Sequence, residues 1–425
     1  MMLQTQLTRP SHIYPTPGRV ALVLAGGAAR GAYEVGVVQH ILEELPKDLG
    51  RNPPIDIFCG TSVGAINGCA LAAMADNPRM RARRLVAHWR SLHLEDVVRL
   101  NRGHITKFLR TAIGESPLQS AVTDERYGGL IDPSGLDRVI ENAIPFPRIQ
   151  EHLGSGLLHG VSVSTTHIAT GNTVVFVARS DSSLPRWSRD PKVVPHLVQL
   201  RRSHALASAA IPMLFPAVRL EGEFYCDGGL RQNVPLSPAR HLGADGVIVV
   251  SPRYIDEIPR MPTAPDPNAR MPGPMFLVGK AMNALLLDRV ENDIDRLQRI
   301  NSLLCAGQRL YGDDFLQKIN ESMGNTDPAR WLRPLAALLI RSSANMGKMA
   351  ADFVRSKLFA QRTSGVLARV LRHIADSEEN EESDLFSYLL FDGEFAAQLI
   401  ELGRKDAQAQ HQQLLNFFTK LDPST

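Results

Sequence analysis

Ile55-Asp56-Ile57-Phe58-Cys59-Gly60-Thr61-Ser62-Val63-Gly64 is the stretch on which the fold turns. Its apolar first half, Ile55 to Cys59, reads as a strand, and the small-residue run Ala65 to Ala75 behind it reads as a helix. Upstream, Val20-Ala21-Leu22-Val23-Leu24 is a second short apolar run, closed by Ala25-Gly26-Gly27. It predicts a buried parallel strand ending in a glycine turn. Tyr33, Val37, Val38, Ile41, Leu42 and Leu45 then recur at three- and four-residue steps until Pro46 and Gly50, which predicts a helix that stops there. The unit is strand-loop-helix repeated twice, the signature of an α/β fold with a parallel sheet covered by helices.

Further strands are predicted at Leu157 to Thr165, Thr173 to Ala178 and Gly246 to Ser251, with Arg79 to Ile144 mostly helical between. Seven prolines between Pro252 and Pro274 can continue neither sheet nor helix, and a boundary is placed there. The expected division is a flexible segment over 1–19, a domain of catalytic size over 20–251, a Pro-rich linker over 252–275 and a helical region over 276–425. In that last region Leu285, Leu286, Val290, Ile294, Leu297 and Ile300 line one helix face, and no further strand is expected.

Composition narrows the function. The 425 residues carry 47 Lys plus Arg against 44 Asp plus Glu, and a net charge of +3 is too small for a nucleic-acid footprint. Cys59, Cys69, Cys226 and Cys305 show no CxxC spacing, so neither a metal nor a redox site is expected, and a reduced, cytoplasmic setting is. Met1 to Arg19 is polar and lacks the apolar core of a secretory signal. The longest apolar runs, such as Pro334 to Ile340, fall well short of the roughly 20 residues that span a bilayer. Any membrane contact is therefore expected to be peripheral.

Gly60-x-Ser62-x-Gly64, where a strand hands over to a helix, has the context of a nucleophile elbow. The turn exposes the hydroxyl at a helix N-terminus, whose unpaired N–H groups favour the negative charge of an acyl-transfer intermediate. Gly26-Gly27-Ala28-Ala29-Arg30-Gly31 ends the preceding parallel strand, so both turns open on one edge, and its backbone N–H groups form an anion cradle. A dinucleotide fingerprint is the competing reading, but the middle glycine is Ala28 and the second strand ends in Cys59-Gly60 rather than an acid. No organic cofactor is expected. Asp227-Gly228-Gly229, after Phe224-Tyr225-Cys226, supplies an acid at a strand end, although the tripeptide is also an ordinary turn signal.

Taken in order, these three pieces resemble the patatin-like phospholipase family, and so do Thr165 to Val175 (TTHIATGNTVV) and Ala205 to Pro216 (ALASAAIPMLFP). The resemblance spans about Val20 to Ser251. It implies a patatin-like α/β fold and lipid acyl hydrolase activity by a Ser–Asp dyad. Ser62 would be the nucleophile, Asp227 the base, Gly26, Gly27, Ala28, Ala29, Arg30 and Gly31 the oxyanion loop, Gly60 and Gly64 the elbow, and Gly228 and Gly229 the rest of the acid motif. Ala28 departs from the glycine of many family members, and its methyl would cost about 1 kcal/mol or more if the position needs a positive φ.

The alternatives are a Ser–His–Asp triad, a soluble carboxylesterase or thioesterase, and a weakly active scaffold that binds lipid or protein. For a triad the histidines are His167, His204 and His241, of which hydrolase order singles out His241. Arg79, Arg81, Arg83, Arg84 and Arg90 with Trp89 would offer a membrane both charge and an interfacial ring, or else form a solvated helix face. Leu184-Pro185-Arg186-Trp187 reads as a loop with an exposed aromatic, a second possible lipid contact.

Overall fold

Strand ends, not strand lengths, position everything of interest in the computed structural model, which describes residues 18–100, 126–127, 129–181, 184, 187, 190–255, 290–325, 331–363, 372 and 387–421. Residues 1–17, most of the Pro-rich stretch (256–275), Leu285, Leu286, Pro185 and Arg186 lie outside the described residues.

The expected unit is present. Strand β1 (Val20–Leu24) leads through a short turn into helix α1 (Gly31–Gln39), and β2 (Ile55–Thr61) leads into α2 (Val63–Ala73). Pro46 does not stop the first helix. The chain stays helical through a π turn at His40–Glu44 and takes Pro46 into the first turn of Leu45–Leu49, where a missing N–H costs nothing. Helix α3 (Pro78–Arg90) follows, and then strands β3 (Gly160–His167), β4 (Thr173–Arg179), β5 (Val193–Leu197), β6 (Ala217–Leu220), β7 (Glu223–Asp227) and β8 (Gly246–Ser251).

One strand was not expected. Ala336–Arg341, here β9, adds to the sheet edge parallel to β8, with Gly246 opposite Ala336 and Ser251 opposite Arg341. The sheet runs β9-β8-β1-β2-β3, parallel throughout; beyond it β4 and β7 pair antiparallel with β3, and β5 pairs parallel with β4. The rest of the C-terminal region is largely helical, as in Val290–Tyr311, Met346–Arg355, Gly393–Ala409 and His411–Lys420.

Both faces of the sheet are covered, which explains why its strands read as continuous apolar runs. Val20, Leu22 and Leu24 of β1 pack in one core with Tyr33, Val37 and Ile41 of the α1 segment and with Leu399 and Phe418 from the C-terminal helices. Ala21 and Val23 face the other way, into a core with Val247, Val249, Ile294 and Leu335. Gly393–Ala409 lies against α1 so closely that a Cβ at Gly36 would sit 1.9 Å from the Ile400 carbonyl oxygen. Tyr33 Oη donates to Asp406 Oδ2 at 3.0 Å across the same contact.

Helix α3 corrects one part of the membrane reading, the interfacial ring and one of the five arginines. Arg81 and Trp89 face inward with Ala82 and Leu85. The Arg81 guanidinium lies 5.6 Å from the Phe58 ring centroid, and Trp89 stacks on Phe391 at 6.3 Å. Only Arg79, Arg83, Arg84 and Arg90 reach solvent, and Arg83 is paired with Glu43. Trp187 is likewise no free aromatic: it is half-buried and stacks on His241, 4.9 Å between centroids. No helix among the described residues is long and apolar enough to cross a membrane.

Gly36→Ala would gain roughly 1 kcal/mol of helix propensity, yet it pushes a methyl into a backbone carbonyl, and overpacking costs about 1–3 kcal/mol or more. We expect the melting temperature to fall by several degrees. Gly154→Ala, where nothing lies within 4 Å of the added Cβ, should leave it unchanged or slightly raised.

Candidate active site

Ser62 joins β2 to α2 with φ 55° and ψ −128°, a conformation that costs a non-glycine residue about 1–3 kcal/mol. The bend is so tight that a Cβ at Gly60 would lie 2.3 Å from the Gly64 carbonyl oxygen, and one at Gly64 would lie 2.4 Å from that of Leu24. Backbone contact therefore dictates both glycines of G-x-S-x-G. Three bonds hold the bend in place. The Ser62 N–H donates to Ser208 Oγ (2.8 Å), Ser208 Oγ donates to the Ser164 carbonyl (2.6 Å), and Thr61 Oγ1 donates to the Gln232 carbonyl (2.9 Å).

The acid arrives by strand pairing. β3 outlasts its parallel neighbour β2: Thr61 pairs with Ser164, and the next residue of β3, Thr165, pairs with Asp227 of antiparallel β7. The end of β7 thus takes over where β2 stops, and Asp227 abuts Ser62. Ser62 Oγ donates to Asp227 Oδ2 at 2.6 Å, and the Gly229 N–H donates to Oδ1 at 2.7 Å. Asp227 is 0% exposed and Ser62 2%. Burial pushes the Asp227 carboxyl up to about 7, against the lowering effect of those two hydrogen bonds.

The glycine loop closes the third side. A Cβ on Gly26 would lie 3.1 Å from that of Ser62, so the loop backbone touches the serine. The Gly26 N–H donates to Asn233 Oδ1 (2.9 Å) and the Arg30 N–H to the Gly27 carbonyl (3.0 Å). Among the described residues the N–H groups of Gly27 and Ala28 have no acceptor in the protein. Ala28 has φ 49°, so the position does take the left-handed conformation in which a methyl is strained. Arg30 is buried, its side chain directed to the C-terminal region rather than to Ser62.

An elbow, a buried acid in contact with it and an adjoining glycine loop coincide with a comparison of sequences. The profile of the patatin-like phospholipase family matches residues 22–240. The chain belongs to the patatin-like phospholipase family. It is 27% identical over 244 residues to patatin-like phospholipase domain-containing protein 7 of Rattus norvegicus, a match covering 57% of this chain and 14% of the rat protein. It is 27% identical over 237 residues to the uncharacterized protein YjjU of Escherichia coli, covering 55% of this chain and 52% of that one. A shorter match, 45% identical over 64 residues, covers 15% of this chain and 4% of the lysophospholipase nte1 of Aspergillus terreus. This chain therefore spans about half, or much less, of the relatives it matches.

In this patatin-like site the three histidines weighed as triad members are engaged elsewhere. His204 Nδ1 accepts the Arg201 N–H at 3.0 Å, His167 lies within 2.8 Å of Thr170 Oγ1 and 3.2 Å of Glu223 Oε2, and His241 stacks on Trp187. Burial holds His204 and His241 down at about 4, so both are neutral at physiological pH. Two further positions, which no motif singles out, support the site: Ser208, inside ALASAAIPMLFP, braces the elbow, and Asn233, shortly after the acid motif, braces the glycine loop. The same small-residue stretch also gives the Ala210 carbonyl that accepts the Asp227 N–H at 2.9 Å.

The Asp227 carboxyl titrates near 7 in the fold and near 4 when unfolded, so the fold favours its protonated form. Stability from this group is full below about pH 4 and lost as pH rises through about 7. Asp227→Asn carries no charge at any pH. Its stability relative to wild type should therefore rise by a few kcal/mol between pH 5 and pH 8 in denaturant unfolding, and a difference constant over that range would contradict the assignment.

Proposed function

We propose that this chain is a lipid acyl hydrolase that cleaves ester bonds of phospholipids or lysophospholipids through a Ser62–Asp227 dyad. The single observation that carries the reading is the 2.6 Å hydrogen bond from Ser62 Oγ to a fully buried Asp227 carboxylate, made at a strained elbow beside a glycine loop. Family membership supports the same class, and one matched relative is named a lysophospholipase.

The chemistry follows from the residues. Ser62 Oγ attacks the acyl carbonyl as its proton passes to Asp227 Oδ2. An aspartate with a pKa near 4 is a poor base for a hydroxyl, and burial that lifts it to about 7 narrows the gap. The oxyanion of the tetrahedral intermediate is accepted by the Gly27 and Ala28 N–H groups, aided by the N-terminus of α2. Collapse expels the lipid alcohol, which takes the proton from Asp227 and leaves the acyl group on Ser62. Water then gives a proton to Asp227 and attacks the acyl-enzyme, releasing a fatty acid and restoring the Ser62 hydroxyl.

Hydrolysis of lysophospholipids, phospholipids and short p-nitrophenyl esters tests the reading. Ser62→Ala and Asp227→Asn should each lower kcat by about 10³-fold or more, while His241→Ala retains most of it. Turnover of the short esters alone would favour a soluble esterase. For wild type, kcat/KM should fall about tenfold per pH unit below about 7 and level off above it, as expected for a base that must be deprotonated. Full activity in Ser62→Ala, or a profile flat through pH 7, contradicts the dyad.

A further inference from the structure

We propose that the C-terminal segment Ser387–Phe391 is a clamp that sets the glycine loop in its donating geometry, with Arg30 and Asn67 as positioning residues. The inference rests on the hydrolase reading above and adds to it a function for a part of the chain outside the matched residues 22–240.

Two independent lines of contact run from this segment to the loop. In the first, Arg30 Nε donates to Ser387 Oγ at 2.7 Å and the guanidinium carbon lies 4.1 Å from the centroid of the Tyr388 ring. Arg30 is only 3% exposed, and Ser387 and Tyr388 are fully buried. A cation over an aromatic face is held more strongly in so dry a setting than at a surface. In the second line, Phe391 stacks on Trp89, Trp89 Nε1 donates to Asn67 Oδ1 (3.0 Å), and Asn67 Nδ2 donates to the Gly31 carbonyl (3.1 Å) and to Glu34 Oε2 (2.9 Å).

The two lines meet the loop at consecutive residues, one through the Arg30 side chain and the other through the Gly31 carbonyl. What they hold is the turn that strained Ala28 begins. A loop held out of its lowest-energy conformation needs outside support to keep two N–H groups aimed at one oxygen. The chain just after the segment is anchored: the Gly393 N–H donates to the Leu92 carbonyl at 2.8 Å, just after α3, and the helix Gly393–Ala409 lies along α1, which starts at Gly31. Arg30 belongs to the loop itself, so a clamp on its side chain is passed on through the loop backbone.

Steady-state hydrolysis by the full chain tests this, with Ser62→Ala run alongside. Loosened donors weaken the transition state rather than substrate binding. Tyr388→Ala should therefore lower kcat about tenfold or more with KM within about twofold, and slow fluorophosphonate labelling of Ser62 in parallel. Tyr388→Phe keeps the ring face and should keep most of kcat. Leu414→Ala, in the same core but away from the loop, should lower the melting temperature and leave kcat of the folded protein unchanged. If Tyr388→Ala does not fold, Ser387→Ala decides, with a loss of about threefold or more supporting the clamp. Wild-type kcat in the Ser387 or Tyr388 alanine variants, a loss seen in KM alone, or a Tyr388→Phe defect as deep as alanine's overturns the clamp while Ser62→Ala remains inactive. Activity surviving in Ser62→Ala overturns the hydrolase assignment and the clamp with it.

Discussion

A single register decides where chemistry is available in this molecule: β3 continues one residue past the pairing of Thr61 with Ser164, and β7 takes the vacated place beside it. It is this handover that brings Asp227 against Ser62. With it, a hydroxyl and a carboxylate meet at 2.6 Å in a site from which water is almost wholly excluded. In so dry a setting each hydrogen bond is stronger than in water, and each unpaired charge is more costly. The strained backbone of Ser62 and the raised pKa of Asp227 are both consequences of packing that the rest of the fold enforces.

Support for the site is spread over the chain. Ser208 reaches the elbow from 146 residues away, and Asn233 reaches the glycine loop across 207. The C-terminal region contributes both to the sheet, through β9, and to the core over α1. Loss of that region would expose the apolar face of α1, including Tyr33 and Val37, and remove the edge partner of β8. The part that matches the patatin-like family and the C-terminal helices share one pair of cores rather than meeting at a polar seam.

The sequence made the glycine-bearing turns legible because their residue types follow from backbone collisions, and no side chain larger than hydrogen fits at Gly60 or Gly64. Strands β1, β2 and β8 were equally plain, being apolar runs buried on both faces. β9 escaped because Ala336-Ala337-Leu338-Leu339 favours helix by composition, and only its pairing with β8 makes it a strand. Arginine density marks α3 as solvated and hides that Trp89 and Arg81 share the inward stripe with Ala82 and Leu85. Ser208 lies in a family-like stretch that does not single it out, and Asn67 and Asn233 are ordinary polar residues; the worth of each lies in a partner elsewhere in the chain.

The central claim is that Ser62 is an activated nucleophile and not merely a buried hydroxyl capping a turn. Peptide mapping by mass spectrometry of the full chain after reaction with a fluorophosphonate tests it most directly. A single adduct on the Ser62 peptide, formed at least about a hundredfold more slowly in Asp227→Asn, is the predicted result. Modification spread over other serines, or labelling of Ser62 that is indifferent to Asp227, would contradict it.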